Sequence, residues 1–165
     1  MVAGKGPVTT AVRALRAAGI AYTEHLYRYE EKGGTAVSAR ELGVDEHAVV
    51  KTLVMEDEER RPLVVLMHGD LAVSTRELAR LLGVRSVTPC APETAARHTG
   101  YLVGGTSPFG TRRPLPVYVE ETILELPRIW LNGGKRGFLV GLDPREAAKA
   151  LSARPVRVAT GKHPS

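Results

Sequence analysis

Along the chain, apolar positions shift repeatedly between helical spacing and strand alternation, and glycines mark most of the changes. Val12 and Leu15, behind a capping Thr9 or Thr10 and ahead of Gly19, predict a short helix to about Ala18. From Ala21 to Tyr29 the spacing falls to two, with His25 and Tyr27 on one strand face. Gly33-Gly34 interrupts that run, and Thr35, Val37 and Leu42, closed by Gly43, predict a second helix. After a cap at Asp45, Val49-Val50-Lys51-Thr52-Leu53-Val54-Met55 is the strongest strand signal. Glu56 to Glu59 with Arg60-Arg61-Pro62 reads as a solvated turn, and Leu63 to Met67 as the partner strand of a hairpin.

Ser74 or Thr75, Glu77 and the Leu78, Leu81, Leu82 pattern predict a capped amphipathic helix ended by Gly83. A short strand follows at Val84 to Thr88, and Pro92 opens a helix over Glu93 to His98. Further strands are expected at Leu115 to Val119, Arg128 to Leu131 and Arg136 to Leu142, with a helical turn at Glu120 to Leu124. Asn132-Gly133-Gly134 is read as the tight reversal between the last two. Asp143-Pro144 caps a final helix to Leu151, and Val156 to Val158 is a last strand. Hairpins mixed with helices, without a steady βαβ rhythm, predict an α+β fold with a mixed, largely antiparallel sheet. The length suits a single domain over 1–165, with residues 1–8 and 160–165 frayed.

Composition narrows the function classes. With 43% hydrophobic and 25% charged residues the chain reads as soluble and globular, and a net charge of +5 favours a polyanionic partner. Cys90 is the only cysteine, so neither an intrachain disulfide nor a thiolate zinc site is expected. No apolar run has the length of a signal peptide core or a membrane span, so the expectation is a cytoplasmic protein with no membrane partner. Eight aromatic residues (two Phe, one Trp, five Tyr) are too few for a broad base-stacking platform.

Candidate chemistry gathers in two glycine-rich stretches and one lysine. Gly100-Tyr101-Leu102-Val103-Gly104-Gly105-Thr106-Ser107-Pro108-Phe109-Gly110 must turn sharply and can bring backbone amides close to an anion or a developing oxyanion. Asn132-Gly133-Gly134-Lys135-Arg136-Gly137 repeats the theme with two cations, and Arg112 and Arg113 lie between the two stretches. On strand alternation Lys51 shares a face with Val49, Leu53 and Met55; it either snorkels from an edge or lines a pocket that receives an anion. His68-Gly69-Asp70 could serve acid–base or metal chemistry, but no second histidine recurs at ligand spacing and a strand-ending turn accounts for it. Cys90, between Pro89 and Pro92 with no base beside it, reads as a packing residue. No Ser-His-Asp order, P-loop, dinucleotide fingerprint or metal motif is present, so neither a cofactor nor a metal is expected. The residues alone point to an anionic, nucleotide-bearing ligand.

Three motifs in order, Val50-Lys51-Thr52-Leu53, Gly100 to Gly110 and Gly133 to Gly137, resemble the signatures of the YbaK/EbsC family over about Thr9 to Val158. These proteins are freestanding relatives of the editing domain of bacterial prolyl-tRNA synthetases. The resemblance implies an aminoacyl-tRNA deacylase acting on mischarged tRNA(Pro), chiefly Cys-tRNA(Pro), with Ala-tRNA(Pro) as a variant and a non-catalytic tRNA-binding module as the alternative. Its implied fold is a mixed sheet curled toward a barrel and flanked by helices. Carried over, Lys51 holds the terminal adenosine or a phosphate of the acceptor end, and Tyr27 lies in the pocket. Gly104, Gly105, Thr106, Ser107, Pro108, Phe109 and Gly110 surround the ester carbonyl, while Gly133, Gly134, Lys135 and Arg136 lie toward the acceptor strand. Prolyl-tRNA synthetase is the implied protein partner. Several relatives carry an acidic residue shortly after the second glycine motif, where this chain has Phe138-Leu139-Val140-Gly141.

Overall fold

The computed structural model describes residues 2, 3 and 6–161. In chain order its elements are β1 (Val2–Ala3), α1 (Thr10–Ala17), β2 (Tyr22–Leu26), α2 (Gly34–Leu42), β3 (Val50–Asp57), β4 (Pro62–His68), β5 (Ala72–Val73), α3 (Thr75–Leu82), β6 (Val87–Pro89), α4 (Pro92–Thr99), β7 (Val117–Glu120), β8 (Ile129–Lys135), β9 (Phe138–Leu142), α5 (Pro144–Leu151), β10 (Arg154–Val156) and β11 (Ala159–Thr160). Short 3₁₀ turns occupy Glu46–Ala48 and Glu121–Glu125.

Local chemistry sets most boundaries as expected. Thr9, Ser74 and Asp143 cap α1, α3 and α5 by accepting backbone N–H groups of the first turn. Gly43 and Gly83 end α2 and α3 in the left-handed region, which costs glycine nothing. Asp45 caps the 3₁₀ turn before β3 through the His47 N–H. The long apolar run of β4 reflects a strand buried on both faces. Val64 and Leu66 enter the larger core with α1, β7, β8 and β9, while Leu63, Val65 and Met67 pack beneath α3 with Leu78 and Val87.

One sheet has the order β1-β2-β9-β8, a second β10-β7-β4-β3-β6, and β11 pairs with β5. The first is wholly antiparallel, and the second is mixed because β7 runs parallel to both β4 and β10. This is the expected α+β class with a mixed sheet. All three strand orders are linear, and none closes on itself into the barrel that the resemblance implies. A parallel bridge from Val49 to Trp130 joins the start of β3 to β8 across the two larger sheets.

Four local expectations are corrected. The reversal after Arg128 to Leu131 does not fall on Gly133-Gly134. The Asn132 carboxamide accepts the Gly134 and Lys135 N–H groups, so β8 runs through the glycines as a bulge and turns at Arg136-Gly137. Helix α2 starts at Gly34 behind Gly33, not at Thr35, whose hydroxyl lies 2.7 Å from Glu46 Oε2. The acidic turn is only partly solvated. Asp57 extends β3 and is buried, where its carboxylate accepts the Glu59 and Arg61 N–H groups and the Arg61 side chain. The strand expected at Val84 to Thr88 is confined to Val87–Pro89.

At the ends, Val2–Ala3 pairs with β2 and Thr160 lies in β11; the remainder of the expected fraying falls partly outside the described residues. No helix among the described residues is long and apolar enough to cross a membrane.

Candidate active site

Strand β6 pairs with β3 only at Met55 to Asp57, so the rest of that edge of β3 faces a gap between the two large sheets. The gap is a cavity of about 550 Å³, within the roughly 300–1,000 Å³ usual for small-molecule sites. Its floor is Val49 and, from β3, Val50 to Met55. One side is Thr35, Val37 and Ser38 of α2, another is Pro89, Cys90, Pro92 and Ala95, and the rim carries Tyr27, Tyr29, Val103, Gly104, Thr106, Asn132, Arg136 and Leu139.

Lys51 stands on the cavity. It is half-buried and lines the cavity, and its Nζ donates to the Leu71 carbonyl beyond the end of β4. Beside it, Thr52 Oγ1 is buried without a protein partner. A cation on a mostly apolar wall, with a buried hydroxyl next to it, suits a ligand carrying negative charge and further polar atoms.

The two glycine stretches meet through packing of their backbones. A Cβ on Gly105 would lie 2.9 Å from the Arg136 nitrogen and 3.0 Å from the Lys135 carbonyl carbon, so only glycine permits this approach. Gly104, at φ +86°, leaves room for the Tyr29 hydroxyl, which would be 2.6 Å from a Cβ. Two side chains stitch the loops together: Asn132 Nδ2 donates to the Gly104 carbonyl at 3.0 Å, and Arg136 Nε to the Val103 carbonyl at 2.8 Å. The Arg136 guanidinium also lies 5.3 Å from the Tyr29 ring centroid, a cation–π contact at the mouth.

Of the sequence-selected residues, Tyr27, Lys51, Gly104, Thr106 and Arg136 line the cavity together. Gly105, Ser107, Pro108, Phe109, Gly110, Gly133, Gly134 and Lys135 are not on its wall. Ser107 is buried, and its Oγ accepts the Phe109 N–H inside the loop. Phe109 joins the core, and its carbonyl accepts the Tyr101 hydroxyl at 2.5 Å. Gly110 and Gly134 serve close contacts with α1 and its cap: Cβ atoms there would strike the Thr10 carbonyl oxygen at 2.4 Å and Thr9 Cβ at 3.1 Å. Most of the first glycine stretch is therefore a buttress behind the rim.

Sequence reasoning missed Tyr29, Thr35 and Ser38, and gave Asn132 and Leu139, which stand in the stretches it singled out, no place on the cavity. Tyr29 lies inside the strand expected from Ala21 to Tyr29, two residues on from Tyr27, but β2 ends at Leu26, so both tyrosines stand on the segment that follows it. The α2 residues carry no such signal, since their place depends on how the helix packs across β3. Cys90 lies on the wall, so packing is only part of its setting. Burial, and then the nearby Glu56 carboxylate, push its thiol up to about 11, which keeps it protonated at neutral pH. Burial likewise raises the Tyr27 hydroxyl.

The fold also supplies the second histidine that spacing did not show. His47, from the turn before β3, stacks on His68 with ring centroids 3.7 Å apart, and its Nδ1 is 2.9 Å from Asp70 Oδ1. One atom from each of His47, His68 and Asp70 falls within 4.8 Å, close enough for a cation. The bonding pattern assigns the cluster otherwise. His68 is wholly buried, its Nδ1 lies 2.6 Å from the His47 carbonyl and its Nε2 2.7 Å from the Thr122 hydroxyl, so both ring nitrogens are engaged within the protein. Burial holds His68 below its ordinary value, and the neutral ring donates from Nδ1 to that carbonyl while Nε2 accepts from Thr122.

Residues 30–160 match the family described as the aminoacyl-tRNA editing domain. The chain is 30% identical over 145 residues to EbsC of Enterococcus faecalis, a proposed Cys-tRNA(Pro)/Cys-tRNA(Cys) deacylase, covering 87% of this chain and 88% of that protein. Identity to the proline–tRNA ligase of Brachyspira hyodysenteriae is 26% over 86 residues, which span 52% of this chain and 15% of the ligase. The crystal structure of a proposed trans-editing enzyme for prolyl-tRNA synthetase has the same fold, with a TM-score of 0.81 and 25% identity over 94% of this chain and 100% of that one.

Proposed function

Because the chain belongs to the aminoacyl-tRNA editing domain family, we propose that it deacylates mischarged tRNA(Pro), Cys-tRNA(Pro) first, in the cavity beside Lys51. The observation that carries this reading is the Lys51 ammonium on the wall of a largely apolar cavity, bordered by backbone of the first glycine loop. An acceptor end brings phosphate and ribose oxygens to such a cation, while a small amino-acid side chain takes the apolar part.

Lys51 binds the acceptor end and fixes the ester against the Gly104 rim. Thr52 Oγ1 and the backbone there offer polar contacts to the bound end. No enzyme nucleophile is assigned. Ser38 is spent on the Gly34 and Thr35 carbonyls, Thr35 on Glu46, and the Cys90 thiol stays protonated. The thiol of the bound cysteine acts in its place: its sulfur bonds to the ester carbon, the carbon–oxygen bond to the ribose breaks, and the thiol proton ends on the departing ribose oxygen. Water then opens the resulting thiolactone to free cysteine. One well-aimed donor contributes about 3–4 kcal/mol to such a step.

Leu139 favours a second substrate. It stands on the cavity wall in the stretch where several relatives carry a carboxylate, and an apolar wall suits the methyl of alanine. Deacylation assays with Cys-tRNA(Pro), Ala-tRNA(Pro) and Pro-tRNA(Pro) test both readings. Loss of cysteine with proline retained is expected, and faster loss of alanine assigns the alanine specificity. Binding of all three with hydrolysis of none leaves a tRNA-binding module and overturns the enzymatic reading. Prolyl-tRNA synthetase is the partner this reading implies, and adding it is expected to sharpen selection of tRNA(Pro).

A further inference from the structure

On the far side of α4 from the cavity, a second depression of about 420 Å³ is lined by Arg60, Thr94, Arg97, His98 and Glu56. The two share their walls back to back: Met55 and Ala95 line the large cavity, and their chain neighbours Glu56 and Thr94 line the small one. Cations from two segments line it, and a third reaches its His98 edge. Arg60 comes from the β3–β4 turn, where it is held at φ 61° with its side chain exposed. Arg97 comes from α4. Arg113 comes from the segment after the first glycine loop, with its guanidinium 3.5 Å from His98 Nδ1 and its backbone N–H donating to the His98 carbonyl. Arg112 continues the line over Gly100, the residue that caps α4 and opens that loop.

Arg60, Arg97, Arg112 and Arg113 are all exposed, and none forms an ion pair among the described residues. Their field is felt locally. His98 is held below its ordinary value first by burial and then by Arg113 and Arg97, with Glu56 opposing. Like charges held side by side from three segments repel, and binding of an anion relieves the repulsion. A line of such cations that ends over Gly100, at the start of the loop bearing Val103 and Gly104 of the large cavity, fits a phosphodiester chain better than a single phosphate, because successive phosphates present charge at a regular interval.

We propose that Arg60, Arg97, Arg113 and Arg112 form the docking surface for the sugar–phosphate backbone of the tRNA acceptor strand, whose 3′ end enters the cavity beside Lys51. This rests on the editing reading above. It places backbone recognition on the α4 flank, leaving Arg136 to the rim, where it is tied to Val103 and Tyr29.

The test compares wild type with the double variant Arg97→Glu/Arg113→Glu on two charged substrates: full-length Cys-tRNA(Pro) and a cysteinylated CCA trinucleotide. The expected result is about a tenfold loss of kcat/KM on the full tRNA, mostly through KM, with the trinucleotide unaffected; the log–log salt slope should also become shallower by about 2. Arg60→Gly, which suits the positive φ there, is expected to give a smaller loss of the same kind. An unchanged rate on full tRNA, or equal losses on both substrates, overturns the docking surface. Filter binding of uncharged tRNA(Pro) reads the surface without any ester. Weaker binding by the double variant supports it even if wild type cleaves neither substrate, an outcome that would remove only the editing reading. Equal binding by variant and wild type overturns it.

Discussion

Two polar groups stand one position apart on neighbouring strands and have opposite fates. His68 on β4 is the register partner of Val50 on β3, and Lys51 is the next residue along. The His68 ring is fully buried and spends both nitrogens inside the protein, on the His47 carbonyl and the Thr122 hydroxyl. Lys51 is only half-buried, holds the Leu71 carbonyl and still faces a cavity. A closed polar network fixes structure, because each partner lost leaves another buried group unsatisfied. An open one keeps binding capacity for a ligand. The two are coupled through the chain, since Asp70, which holds His47, immediately precedes the Leu71 carbonyl that receives Lys51.

The comparison breaks most decisively at Lys51. Lys51→Ala is expected to lower deacylation of Cys-tRNA(Pro) about a hundredfold or more, the effect of losing roughly 3–4 kcal/mol of interaction at the reacting end. Its melting temperature should stay close to wild type, because a half-buried lysine repays little of its own desolvation. Single-turnover deacylation beside a thermal melt checks both halves; a wild-type rate ends the assigned role of Lys51.

His68→Ala should show the reverse pattern. It leaves a void in the core and orphans the His47 carbonyl and the Thr122 hydroxyl, for an expected loss of about 2–4 kcal/mol in stability by urea unfolding. The wild-type protein should also lose stability as the pH falls below about 6.5. Burial holds the folded His68 below its ordinary 6.5, against the raising influence of the His47 carbonyl, Asp70 and Glu120. The unfolded chain therefore takes up a proton in that range before the folded one does. The part of the acid destabilisation due to His68 should be missing in the variant; equal pH slopes for the two proteins would refute the neutral buried ring.

What could be read from the sequence follows the same division. Lys51 was conspicuous because a cation broke an apolar strand pattern, and that conflict is visible in seven consecutive residues. The helix caps are legible because they depend on residues four or fewer apart, and the β3–β4 hairpin because two apolar runs flank one short charged turn. His47 was not legible as a partner of His68, since the two are 21 residues apart and meet only when β3 and β4 pair. Glycine runs signal close backbone approach, but not what is approached. For Gly105 it is the backbone of Lys135 and Arg136, and for Gly110 that of Thr10.

Gly105 supplies a middle case between the open and closed networks. Gly105→Ala would force a methyl to within 2.9 Å of the Arg136 nitrogen, and neither backbone can yield without moving the rim. The expected outcome is a loss of about 1–3 kcal/mol in stability together with a fall in activity smaller than that of Lys51→Ala. Stability lost with activity per folded molecule intact would make this stretch a buttress alone.

Cys90 should give the smallest effect, and it sharpens what lining the cavity means. It lines the same cavity as Lys51, yet its thiol is pushed up to about 11 by burial and by Glu56, so at neutral pH the nucleophilic thiolate is scarce. Its backbone does the structural part, the N–H donating to the Val54 carbonyl at 3.0 Å, and that bond survives any side-chain change. Cys90→Ala is therefore expected to deacylate Cys-tRNA(Pro) within about twofold of wild type, and wild type should react slowly with iodoacetamide at neutral pH, as the low thiolate fraction requires. A loss approaching that of Lys51→Ala would put an enzyme thiol into the ester-cleaving step and displace the substrate's own sulfur from that role.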